Sequence, residues 1–290
     1  MYGSSDYQPS KKTSYLYELD EEVSPKKNKL EIGLEYSDYV YREPHMDYPI
    51  KLSGKMQGID LKYTIHSLMS EAWGENDNFM SVELLYMTGK VDYDGWLQDG
   101  AGNVVGPSST TGIHDWYIDA RLLFGRRVYL TENKLILDPF LGIAYRFLRD
   151  EQHKKSDSGY LRESNYLYVP LGADFTWQAT SSFKLTLKGE FDWLLGGKQK
   201  SGMSRFDPAF RDMMNSQRKG FGARASIKAE QNIGQIGIFV EPFVRYWKIQ
   251  NSKWNYYYVE DIGGGMGYFY GGIEPFNTTR EYGLRAGVSF

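Results

Sequence analysis

No cysteine occurs anywhere in the 290-residue chain, which excludes disulfide staples and zinc–thiolate sites. Nor is there any apolar run approaching the roughly 18 residues that a membrane-spanning helix needs. Mean hydropathy is only −0.53. An excess of one charge is also lacking: 34 Lys and Arg stand against 37 Asp and Glu, whereas a dedicated nucleic-acid binder would be clearly basic. Histidine is scarce, and His45, His66, His114 and His153 have no metal-ligand spacing. The run Gly263–Gly267 lacks the preceding strand and following helix of a nucleotide site, and no Gly-x-Ser-x-Gly element occurs. No cofactor, metal or nucleic-acid partner is expected. What the chain has in abundance is aromatic side chains, 7 Trp, 24 Tyr and 15 Phe, in a polar setting.

Residues 1–28 are rich in Ser, Lys, Asp, Glu and Pro and read as a polar tail. They hold no apolar signal-peptide core, so an export signal either has been removed or never preceded them. From Lys29 to Phe290 the dominant signal is period two, the signature of strands. It runs through Leu30–Tyr36, Ile59–Ile65, Met80–Tyr86, Trp116–Phe124, Leu135–Tyr145, Leu167–Trp177, Phe183–Trp193, Phe221–Ile227, Ile236–Tyr246 and Tyr282–Phe290. Most of the ten strands run about 10–14 residues, against a usual mode of about 5–6. A tilted membrane-spanning strand takes about 9–11. Connections alternate between long (42–51, 91–111, 148–164, 194–218, 250–279) and short (67–78, 125–134, 179–182, 230–234). Antiparallel neighbours then gather every long loop at one end. The expected fold class is all-β, a transmembrane antiparallel up-and-down barrel of about ten strands. Tyr36, Tyr86, Trp116, Tyr145, Trp193, Tyr246 and Tyr282 fall on the apolar face near strand ends, where a membrane interface favours Tyr and Trp.

If the apolar face meets lipid, the alternate face lines a lumen. That face carries Glu35, Asp60, Glu83, Asp119, Asp174, Glu190 and Glu241, with Lys62, Arg121, Lys188, Arg224, Lys228, Arg245 and Arg285. Unpaired buried charge is costly, so balanced signs point to a plug of ion pairs. A narrow channel for small solutes is the alternative. In the fifth long loop Trp254, Tyr256, Tyr257, Tyr258, Tyr268, Phe269 and Tyr270 crowd together. They read as a recognition surface, as a lid over the lumen, or as a hairpin that extends the sheet above the membrane.

The closing stretch Tyr282-Gly283-Leu284-Arg285-Ala286-Gly287-Val288-Ser289-Phe290 resembles the terminal strand of Gram-negative outer-membrane β-barrel proteins, whose final Phe is read by the barrel-assembly machinery. Tyr282, Gly283 and Phe290 carry that resemblance. It implies a porin-like monomer in the bacterial outer membrane, in contact with outer-membrane lipid and lipopolysaccharide. Its loops would be extracellular, with both termini periplasmic. Ten strands is also the architecture of the omptin proteases, which set an Asp pair opposite an Asp–His pair at the extracellular rim. This chain offers Asp92 and Asp94 on one face, and the adjacent pair His114–Asp115, whose side chains point to opposite faces of a regular strand. No Asp–His pair of the omptin kind follows. The sequence alone yields no catalytic constellation.

Overall fold

The computed structural model of the protein describes residues 28–44, 48–66, 77–98, 103–131, 134–206, 210–259 and 267–290. The polar tail, apart from Asn28, and the Gly263–Gly267 run, apart from Gly267, lie outside the described residues. Ten strands form one closed antiparallel ring: β1 (Asn28–Glu43), β2 (Ile50–His66), β3 (Asn78–Gln98), β4 (Val104–Arg126), β6 (Leu135–Asp150), β7 (Arg162–Gln178), β8 (Phe183–Ser201), β10 (Gly220–Ile233), β11 (Ile236–Ile249) and β14 (Asn277–Ser289). Each pairs with the next, and β14 also pairs with β1 to close the ring. Four short strands are additions. β5 (Val128–Thr131) edges onto β6, β9 (Met213–Gln217) prolongs the pairing of β8, and β12 (Asn255–Val259) with β13 (Tyr268–Gly272) makes a separate hairpin.

The alternation places apolar side chains outside. Leu34, Ile59, Val82, Leu141, Leu171, Leu187, Ile227, Val240 and Leu284 are all exposed on the outer wall, a continuous apolar belt that water would not tolerate. Tyr36, Tyr86, Tyr145, Trp193 and Tyr282 edge it on the side of the longer connections; Tyr63, Phe124, Trp177 and Phe290 edge the other. Two expected long loops prove to be largely strand. β3 and β4 continue to Gln98 and from Val104, and β8 continues to Ser201. Residues such as Ser108, Ser109, Thr110 and Thr111 carry no hydropathy alternation, so their backbone ladder leaves no trace in the sequence. The pairing shifts between Val91 and Tyr93, opposite Gly112 at φ 68, and the Asp92 carboxylate accepts the Gly112 N–H at 2.8 Å.

Glycine on the inner wall has a specific use. Gly283 and Gly287 are the register partners of Phe243 and Phe239. In each case a side chain on the glycine would strike the partner's ring and a backbone carbonyl of β1. Each ring therefore lies flat against the wall, and an arginine covers its inner side: Arg245 over Phe243 at 4.0 Å and Arg285 over Phe239 at 4.5 Å. This layering sets where the lumen guanidiniums sit.

Candidate functional site

The lumen is lined by charge. Around a chamber of about 110 Å³ stand Glu35, Asp60, Glu83, Asp174, Glu190 and Glu241 with Lys62, Arg121, Lys188, Arg224, Arg245 and Arg285. Several pairs join strands that are not neighbours. Arg121 on β4 binds Glu83 at 2.6 Å and also Glu190 on β8. Arg224 on β10 reaches Asp119 on β4 at 2.7 Å, with Asp192 at 2.9 Å and Glu190 at 3.2 Å. Arg245 holds both oxygens of Glu35 at 2.7 Å, and Arg285 bridges Asp60, Glu31 and Glu241. Near the short-turn end Lys228 meets Glu31 at 2.7 Å and Glu230 at 3.3 Å. Lys62 pairs with Glu83 and Lys188 with Glu241.

Beyond the belt the inner wall turns aromatic. Arg146 on β6 lies between the Tyr117 and Trp247 rings and contacts Glu281 on β14, straight across the ring of strands. Tyr117 donates to the same carboxylate at 2.7 Å, and Tyr168 donates to Asp119 at 2.6 Å. A smaller cavity of about 60 Å³, room for a few waters, opens above them between Tyr39, Tyr41, Met56, Tyr166 and Trp247. Asp115 and Asp150, direct register partners on β4 and β6, line its wall. Its roof is held by Arg162 on β7, which contacts Glu43 on β1 at 2.9 Å and Glu274 at 2.8 Å.

Glu274 lies in the connection before β14 and is buried, bound also by Gln199; its N–H donates to the Ser252 hydroxyl at 2.8 Å and its carbonyl accepts the Ser252 N–H at 2.9 Å. Burial pushes its carboxyl up, Glu43 adds to this, and Arg162 opposes it, leaving the group at about 7. The closed arrangement therefore prefers protonated Glu274, while an opened, hydrated one titrates near the ordinary value of about 4.3. Closure weakens as pH rises from about 4.3 to 7 and is constant above. Hydrogen exchange at the Ser252 and Glu274 amides, corrected for intrinsic rate, should report an opening constant that climbs over that window and then levels. Glu274→Gln should flatten it.

The aromatic cluster of the fifth long connection divides between two faces of the β12–β13 hairpin. Tyr257 and Tyr270 stack on one another at 5.6 Å, and their hydroxyls bind the Met214 N–H and the Arg211 backbone, anchoring the hairpin beside β9. Trp254, Tyr256, Tyr258 and Phe269 face away, each more than half exposed. Trp254 stacks on Tyr256 with 15° between planes, and Tyr258 meets Phe269 at 5.1 Å. The Tyr268 side chain is outside the described residues.

Among solved structures, the outer membrane protease OmpT from Escherichia coli is similar, with a TM-score of 0.54 and 12% identity over 91% of this chain and 97% of that one. The chain has the outer-membrane β-barrel fold. The translocator domain of autotransporter NalP from Neisseria meningitidis (TM-score 0.38, 10% identity, 93% and 90% covered) and Ail, the attachment invasion locus protein of Yersinia pestis (0.33, 10%, 91% and 100%), are more distant. No protein-family model and no curated protein sequence matches.

Within this outer-membrane barrel fold, the omptin comparison fails at its acids. Asp92 and Asp94 share a face, but it is the outer one, and Asp92 caps the β3–β4 bulge. His114 points outward and Asp115 inward, as a regular strand requires. Sequence reasoning missed Glu31 and Asp192 as partners, although their phase on the strands placed them inside; Glu230 fell in an expected turn and Glu281 just before the expected closing strand, whereas the structure extends β10 to Ile233 and starts β14 at Asn277. Arg162, Glu43 and Glu274 were harder to find, because they lie in or beside stretches that read as loops and have no assignable face. At the closing strand, Phe290 exchanges backbone bonds of 2.9 and 3.2 Å with Leu30, and Gly283 packs under Phe243.

Proposed function

We propose that this protein is an integral barrel of the bacterial outer membrane, closed in its lumen by ion pairs and working through the part that projects beyond the belt. In this reading the short turns and both termini are periplasmic and the longer connections extracellular. Outer-membrane lipid and lipopolysaccharide surround the belt, and the closing strand with Phe290 is read by the assembly machinery of a barrel that acts as a monomer. The observation that carries recognition is the β12–β13 hairpin, whose one face is anchored while Trp254, Tyr256, Tyr258 and Phe269 are left to solvent. Rigid exposed rings bury large area at low entropic cost, the property of recognition surfaces. Labelled polysaccharide and host cells should bind wild-type protein at least tenfold more tightly than a variant with these four residues changed to alanine. Equal binding by both proteins would overturn the recognition reading.

Closure of the lumen is supported by bridges such as Arg121–Glu190 and Arg224–Asp119, which join well-separated walls. In planar bilayers the wild type should add no steady conductance, and Arg121→Ala with Glu190→Ala should open one. Steady unitary conductance in the wild type would favour the channel alternative.

A further inference from the structure

The outer wall carries a hydroxyl–imidazole–carboxylate chain that the lumen and the hairpin do not use. Thr88 on β3 and His114 on β4 both point outward, and Thr88 Oγ1 lies 2.9 Å from His114 Nε2. His114 Nδ1 lies 3.0 Å from Glu151 Oε2. The Glu151 N–H donates to the His114 carbonyl at 3.1 Å, which fixes the carboxylate beside the ring, and a single 3-10 turn over Gln152–Lys154 follows. Lys154 at 2.6 Å and Arg149 at 3.3 Å complete the shell around Glu151. Partial burial raises the Glu151 carboxyl, but hydrogen bonds from Lys154 and His114 outweigh it and hold the group below its usual range. An ionised carboxylate only accepts, so His114 Nδ1 carries a proton; in the neutral imidazole Nε2 then presents its lone pair and Thr88 is the donor. That is the order of groups that activates a hydroxyl nucleophile.

The position selects the substrate. The register partner of Thr88 is Trp116, whose ring lies 6.2 Å from Tyr86 and 5.2 Å from Phe147 at the edge of the apolar belt. One outward step further, Lys90 is the register partner of both His114 and Lys55. Like charges set directly opposite destabilise a sheet. Lys55 is answered by Asp38, whereas Lys90 makes no ion pair among the described residues. A cation with no ion-pair partner among the described residues, beside the aromatic edge of the belt, suits an anionic lipid if the belt sits in a bilayer as proposed above.

We propose that Thr88, His114 and Glu151 form an outward-facing esterase site that cleaves the acyl ester of a phosphate-bearing lipid, with Lys90 receiving the phosphate. Thr88 Oγ1 bonds to the acyl carbon as its proton passes to His114 Nε2. His114 returns that proton to the leaving alcohol oxygen as the ester C–O bond breaks, giving acyl-Thr88. Water then adds to the acyl carbon, giving its proton to His114. The bond to Thr88 breaks, the hydroxyl recovers the proton, and the fatty acid leaves. Ester and water become alcohol and acid, with no redox change. Glu151 positions the ring and balances the imidazolium charge.

The test uses the full chain refolded in detergent micelles, with p-nitrophenyl esters, phosphatidylglycerol mixed micelles and lipopolysaccharide as separate substrates. Wild type should release p-nitrophenol and free fatty acid. Thr88→Val and His114→Gln should each lose at least 100-fold, and Glu151→Gln about tenfold or more. Thr88→Ser should restore most of the rate lost in Thr88→Val, which a merely structural hydrogen bond would not do. A fluorophosphonate should add its mass at Thr88 in wild type and not in His114→Gln. Fatty acid from phosphatidylglycerol alone, or from lipopolysaccharide alone, supports the site and identifies its lipid. No release above the protein-free control from any substrate, or undiminished release by correctly folded Thr88→Val, overturns it.

Discussion

Replacing Arg224 by methionine is expected to destabilise the folded barrel by about 3–5 kcal/mol, the usual consequence of stripping one partner from a buried ion cluster. Arg224 is the shared cation of Asp119, Asp192 and Glu190, and it also donates to the Tyr168 hydroxyl at 2.6 Å. Asp119 and Asp192 are fully buried, so each must then find a proton or admit water. Arg224→Lys should recover only part of the loss, because a single ammonium cannot serve carboxylates on β4 and β8 together as a planar guanidinium does. Adding Asp119→Asn and Asp192→Asn to Arg224→Met should recover more than lysine does, since the orphaned charges go with their partner. Urea unfolding of the refolded barrel, followed by tryptophan fluorescence, measures each step. A loss under 1 kcal/mol for Arg224→Met would show the lumen charges to be hydrated individually rather than as a cluster.

The second large effect is expected from a side chain one would ordinarily consider small. Gly283→Val should lower stability by about 1–3 kcal/mol through overpacking. Its branched carbon would meet the Phe243 ring on one side and the Tyr36 carbonyl on the other. The ring can escape only inward, into Arg245 above it at 4.0 Å, and that guanidinium is the one that grips Glu35. Refolding in detergent involves no assembly machinery, so it isolates this packing effect from any role of Gly283 in a recognised closing strand. Pairing the change with Phe243→Leu should relieve it, because the smaller side chain vacates the space. Should Gly283→Val refold with unchanged stability, the layering of glycine, ring and arginine would not control the wall.

Much of the architecture was legible because period two is local. Each strand announces which side chains share a face, and Leu34, Leu84 and Leu284 fall outside while Glu35, Glu83 and Arg285 fall inside, as the alternation requires. The same signal vanished above the belt. Both faces of a strand are wet or polar there, so β3 beyond Val91 and β8 beyond Leu194 read as loop. The aromatic residues around Tyr257 looked like one cluster in sequence, whereas hairpin pleating turned Tyr257 and Tyr270 to one side and Tyr256, Tyr258 and Phe269 to the other.

The sequence by itself determined the number of ring strands, the phase of each of them, the apolar outer belt and an inner wall that carries charge of both signs. These properties depend only on neighbours along the chain and on exposure to one solvent or another. Only the tertiary structure decided which acid meets which base, why β11 sets Phe243 opposite Gly283, and that Thr88, His114 and Glu151 come together 26 and 37 positions apart. Register and closure of the ring fix those meetings. Arg146 reaches Glu281, 135 positions away, because β6 and β14 stand on opposite walls. No periodicity within a strand records what stands across the barrel from it.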